Sequence, residues 1–152
     1  MVRNMWIKEF KALTTRELFE IYRARTDVFV VEQACAYPEV DTVDLTAQHV
    51  FSTAADGQVQ AYCRIYRDES QTDHWHIGRV LVVKTARGHG VARELVQTAI
   101  DWIKKQPEAK VIDIEAQVYL SAFYQQMGFE IMSKPFDDFG IAHQEMSQAL
   151  VN

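Results

Sequence analysis

Two glycines, Gly88 and Gly90, stand in the stretch KTARGHGVAR over residues 84–93, directly after the apolar run Val80-Leu81-Val82-Val83. Glycine weakens strands and helices alike, so a pair at such a junction signals that something must come close to the backbone. Strand, glycine loop, helix is a phosphate-binding layout. The first amides of a helix lack intrahelical partners, the helix dipole favours an anion there, and glycines let oxygens approach without meeting a Cβ. A Walker A loop needs G-x-x-x-x-G-K-S/T, which the chain does not contain. A dinucleotide loop needs G-x-G-x-x-G, and counting from Gly88 puts the bulky, charged Arg93 at the third glycine. Taken alone, the glycine pair reads equally well as a plain turn.

The elements that must position this loop follow from periodicity. Met5–Phe10 alternates weakly and reads as a strand. Thr14 and Glu17 then form a capping box, followed by a helical face of Leu18, Ile21, Tyr22, Val28 and Phe29. Residues 47–54 read as a strand, Asp56-Gly57 as a hairpin turn and 58–66 as the partner strand. A third strand covers 74–83. A helix covers 90–105, with Val91, Leu95, Ala99 and Trp102 on one side and Ala92, Val96, Ile100 and Ile103 widening the stripe enough to lie on a sheet. Strand 111–116, a short helix 120–127 with Gly128 as its left-handed cap, and strands 129–133 and 141–147 close the chain. The fold class is α/β, a mixed sheet with helices on its faces, in one domain over residues 1–152.

Composition bounds the function. A chain of 152 residues buries about two thirds of its unfolded surface, so no staple is needed. A net charge of −5 argues against general affinity for nucleic acid. Cys35 and Cys63 lack C-x-x-C spacing and suit a reducing cytoplasm. No apolar run approaches the ~20 residues of a membrane span, and MVRNMWIKEF lacks a signal-peptide core. His74-x-His76 has no third ligand nearby, so no metal is expected.

The run Arg87-Gly88-His89-Gly90-Val91-Ala92 matches R/Q-x-x-G-x-G/A and resembles the acyl-CoA loop of the GNAT superfamily of N-acetyltransferases. Ser121 to Phe129 (SAFYQQMGF) resembles that superfamily's A-x-x-F/Y-Y-x-x-x-G-F segment, one strand further on. Phe29-Val30-Val31-Glu32-Gln33, Cys35-x-Tyr37-Pro38, Asp41, Asp44-Leu45, Ile77-Gly78-Arg79-Val80 and Ala116-Gln117 are similar to the ElaA-type branch. Lys84 departs from the proline common at its position.

The resemblance implies a splayed central sheet whose gap takes the pantetheine arm. It implies backbone contacts from Leu81, Val82 and Val83, and a pyrophosphate held by the amides of Gly88, His89, Gly90, Val91, Ala92 and Arg93, with charge from Arg87 and Arg93. It also implies acetyl-CoA as the cosubstrate and a small-molecule or peptidyl amine as the acceptor. Taking a proton from a lysine-like amine at pH 7 costs roughly 4–5 kcal/mol. The departing thiolate also needs a proton, and Tyr124 is the implied acid, worth ~10²–10⁴-fold. The general base is open among Glu32, Asp41, Asp44, His49, His76, Glu115 and a water chain. Glu32 is preferred, because desolvation in FVVEQ would raise its pKa. Glu32, Glu39, Asp41 and Asp44 are expected to attract a cationic amine. Arg64 and Arg79 read as paired structural cations. A non-catalytic acyl-CoA sensor is the alternative. The oligomeric state is open: the last strand, 141–147, could pair at a sheet edge in a homodimer.

Overall fold

The computed structural model describes residues 4–150, so the first three residues of MVRNMWIKEF lie outside it. Strand β1 (Trp6–Glu9) leads to helix α1 (Thr15–Arg25). The capping box forms: the Glu17 amide donates to Thr14 Oγ1 at 3.0 Å, and the Thr14 amide donates to Glu17 Oε1 at 2.8 Å. Beyond Arg25 the chain continues as a π-helical segment, Thr26–Glu32. Such wide turns are rare and are found frequently at functional sites.

Strands β2 (Gln48–Thr53), β3 (Val59–Arg67) and β4 (His74–Val82) complete an antiparallel meander from β1, with Gly57 at φ +88° in the Asp56-Gly57 hairpin. Helix α2 (Val91–Lys104) carries the chain to β5 (Val111–Gln117), which runs parallel to β4. Helix α3 (Ser121–Gln126) and the short strands β6 (Glu130–Ile131) and β7 (Phe136–Asp138) precede β8 (Ile141–Ala149). The sheet order is β1-β2-β3-β4-β5-β8-β6, with β7 also on β8.

Two core clusters hold the sheet. Leu95, Val96, Ala99, Ile100 and Ile103 of α2 cover Ala61, Cys63, Ile65, Ile112 and Ile114 on one face. Ile21, Ala24, Val28 and Phe29 cover Phe51, Tyr62 and Leu81 on the other. Each fully buried Ile or Leu contributes about 1.5–3 kcal/mol. Helix α1 reaches only the first half of its face, so the floor over β4, β5 and β8 stays open.

Two departures from regularity shape that floor. The β3–β4 register shifts between Tyr62 and Arg64, and Arg79 takes φ +52°, an extra residue that flips side-chain parity. Ile77 therefore faces α2, while Leu81 and Val83, past the bulge, face α1. The parallel β4–β5 ladder holds only His74↔Val111, Trp75↔Ile112 and His76↔Asp113, although both strands run on. This is the splay that the resemblance implied.

The C-terminal region corrects the sequence reading. Strand β8 is interior: β5 pairs along one side of it, and β6 and β7 along the other. It presents no free edge for a partner. Strand β6 is shorter than 129–133, and β7 was not anticipated. Its turn to β8 uses Phe139 (φ +51°) and Gly140 (φ +86°), and phenylalanine disfavours that conformation.

Candidate active site

The backbone edge of β4 is the starting point. The Val83 amide donates to Gln60 O at 2.9 Å, so residues 81 and 83 turn their main chain toward β3. In an antiparallel pair alternate residues do this. The Val82 amide and carbonyl therefore face the gap on the β5 side.

Beyond Val82 the chain reaches Gly88 (φ +84°) and Gly90 (φ +76°), where a Cβ would meet nothing within 4 Å. Packing does not demand glycine there; the left-handed backbone does, and the space in front is open. Gly90 caps α2 and no side chain caps the helix, which leaves its first amides for another acceptor.

The gap opens into a cavity of about 1000 Å³. Of the residues expected to bind cofactor, Leu81, Val82, Arg87, Gly88, Gly90, Val91, Ala92 and Arg93 line it. His89 is exposed and outside the lining, and Val83 lines a smaller neighbouring hollow. Arg93 donates to Gln126 Oε1 at 3.1 Å, tying α2 to the end of α3.

Tyr124 lines the cavity from α3 and is only 4% exposed. Phe123 and Phe129 meet its ring edge-on, 5.1 and 5.9 Å between centroids. Gly128 (φ +100°) turns the chain so that Phe129 can do this. Burial pushes the phenol pKa up, so Tyr124 carries its proton across the physiological range.

Glu32 departs from expectation. Its side chain is 40% exposed, and Arg87 grips it with both terminal nitrogens, Nη1 to Oε2 at 2.7 Å and Nη2 to Oε1 at 2.9 Å. The hydrogen bonds from Arg87 lower the carboxyl pKa, opposite to the desolvation expected of FVVEQ. That run forms the π-helical turn at the cavity mouth rather than a buried stretch.

The acidic wall is corrected as well. Arg25, fully buried, donates to Glu39 Oε1 at 2.5 Å and to Asp44 Oδ1 at 2.8 Å. Arg64 donates to Asp41 Oδ1 at 2.6 Å and Asp44 Oδ1 at 2.9 Å. Arg79 Nε lies 2.9 Å from Glu39 Oε2 as an ion pair without hydrogen-bond alignment. Tyr37 also donates to Glu39. These carboxylates neutralise arginines, as expected of Arg64 and Arg79, and do not await a cation. His49 is fully buried between the Tyr62 hydroxyl (2.6 Å) and Asp44 O (2.9 Å), which removes it from the reacting groups. His76 is held 2.8 Å from Asp68, and His74 2.6 Å from Asp113.

Glu115 is different. It lines the cavity on β5, is exposed, and stands directly opposite Glu145 of β8. Neither carboxylate has a hydrogen bond or ion pair among the described residues, and like charges directly across a ladder repel. Sequence reasoning missed Glu145 because its pairing depends on β8 being interior. It also missed Phe139, whose ring contacts Tyr37 at 5.5 Å and whose carbonyl accepts from Cys35 Sγ at 3.5 Å. That contact closes one end of the cavity.

Comparison with known proteins agrees with this geometry. The profile of a family described as an acetyltransferase (GNAT) domain matches residues 23–150. A UPF0039 protein of Schizosaccharomyces pombe is 39% identical over 140 residues, 91% of this chain and 92% of the relative. Protein ElaA of Escherichia coli is 30% identical over 141 residues, 91% of this chain and 92% of the relative. Its crystal structure superposes with a TM-score of 0.90, covering 97% of this chain and 99% of that one. An acyl-CoA N-acyltransferase from Pseudomonas aeruginosa gives 0.87 at 32% identity, covering 96% and 99%.

Proposed function

This chain belongs to the acetyltransferase (GNAT) family, and we propose that it moves an acetyl group from acetyl-CoA to a primary amine. The observation that carries the reading is a convergence. The β4–β5 ladder stops after three pairs, and the cavity so opened is lined by the glycine loop at one end and by Tyr124.

The pantetheine arm lies in the gap against the main chain of Val82; Leu81 and Val83, expected to share that contact, spend their main-chain groups on β3 instead. The cofactor's diphosphate rests on the amides from Gly88 to Arg93, where the left-handed glycines keep Cβ atoms away. Arg87 and Arg93 supply positive charge. The acceptor ammonium is drawn to Glu115 and Glu145, which hold a cation that offsets their mutual repulsion. Its proton leaves to water in the groove. Glu32 is ionised and bound to Arg87, so it belongs to the diphosphate end rather than to proton abstraction.

The neutral amine nitrogen attacks the thioester carbon and loses its second proton to water in the groove as the amide forms; the carbon–sulfur bond breaks, and the sulfur takes its proton from the Tyr124 hydroxyl, which recovers one from solvent. The phenol's raised pKa keeps it protonated until thiolate charge develops beside it. Absence of any segment long and apolar enough to cross a membrane among the described helices fits a cytoplasmic enzyme.

Calorimetric titration with acetyl-CoA tests the cofactor assignment, and no binding at millimolar ligand ends it. Thiol release across a panel of amines tests the chemistry. Tyr124→Phe should lower kcat about 10²-fold and leave the CoA dissociation constant in place. An unchanged kcat removes Tyr124 from the mechanism.

A further inference from the structure

Arg87 makes a third contact besides its grip on Glu32: its Nε donates to Val82 O at 2.8 Å. Val82 O is the carbonyl that faces the gap, so one guanidinium covers the acceptor that a pantetheine amide would use. The anchor of that guanidinium is 55 positions earlier, at the last residue of the π-helical turn. Through this fork Arg87 lowers the Glu32 pKa and Glu32 raises that of Arg87, so both groups hold full charge in the pair. Both side chains line the cavity.

We infer that the Glu32–Arg87 pair is a resident plug in the cofactor slot, exchanged when CoA binds: Arg87 leaves Val82 O and the Glu32 carboxylate and moves to the diphosphate. The inference rests on the proposed CoA site. The diphosphate is what draws Arg87 away, because it offers the same guanidinium a doubly charged partner of matching geometry. Pantetheine alone has no such group and must compete with Arg87 for the carbonyl. Glu32 thus sets how readily the slot opens and takes no part in the chemistry.

The sign of two substitutions separates this exchange from simple preorganisation. Removing the carboxylate with Glu32→Ala frees Arg87, and CoA should bind up to about fivefold tighter, the upper range for a half-exposed ion pair. Removing the plug with Arg87→Ala should weaken acetyl-CoA about tenfold while tightening acetyl-pantetheine, opposite effects on two ligands that share the thioester end. Binding of both ligands to the wild type and the two variants is measured by calorimetry at low salt, with melting temperature confirming the fold. If Glu32→Ala leaves CoA binding unchanged or weaker, or Arg87→Ala weakens acetyl-pantetheine, the plug is refuted and Glu32 merely orients Arg87. If the wild type binds no acetyl-CoA, the underlying site assignment fails instead.

Discussion

Replacing Gly90 with alanine separates backbone strain from ligand contact. Gly90 sits at φ +76°, where an L side chain costs about 1–2 kcal/mol. A new methyl group meets nothing within 4 Å, so no steric cost adds to that strain. For a chain of this size, 1 kcal/mol shifts the melting temperature by about 2–4 °C, and Gly90→Ala should melt about 2–8 °C lower. The open space in front of the methyl is where the proposed site puts the diphosphate oxygens. Losing one charge-assisted hydrogen bond costs ~1.5–3 kcal/mol, so CoA affinity should fall about 10- to 100-fold. Gly128→Ala is the control. It is also left-handed, at φ +100°, but its methyl would lie 2.2 Å from the flexible Gln148 Nε2 rather than in the cavity. It should lose stability and keep CoA affinity. The readouts are thermal melting of the apo protein and calorimetric titration with CoA. A Gly90→Ala variant that melts lower yet binds CoA as the wild type does would refute the cradle.

Asp44 accepts from both Arg25 and Arg64 in a buried setting, so Asp44→Asn should cost about 3 kcal/mol in urea unfolding, and a loss under about 1 kcal/mol would show the network to be dispensable. Burial lowers the His49 pKa from its ordinary 6.5. The unfolded chain therefore takes up a proton near pH 6.5 that the folded chain refuses until lower pH, and stability falls as pH drops below that value. His49→Gln should flatten the decline in melting temperature between pH 7 and 5, and an undiminished decline would assign the acid sensitivity to other groups.

Much of the scaffold was legible locally. The Thr14–Glu17 capping box, the Asp56-Gly57 hairpin, the apolar stripe of α2 and the Gly128 cap each depend on residues within a few positions of one another, and each formed. The glycine turn and the short helix that carries Tyr124 formed where the sequence reads them, since left-handed glycines express short-range sterics, while the link of both to a cofactor came only from the resemblance. Element boundaries drifted by a residue or two, and the β7–β8 turn escaped notice because Phe139 occupies a conformation its type disfavours. Its ring meets Tyr37, about a hundred positions away in sequence.

Amino-acid order alone determined the supersecondary units and the glycine turn before α2. What only the tertiary structure decided was the charge state of the pocket. Glu32, Glu39, Asp41 and Asp44 resemble Glu115 and Glu145 in sequence, yet the first four are matched by arginines and the last two face each other unpaired. Backbone propensity acts over a few bonds and is written in neighbouring residues. A carboxylate's chemistry is set by whichever charge the fold brings within about 4 Å, and that distance exists only once the chain has closed.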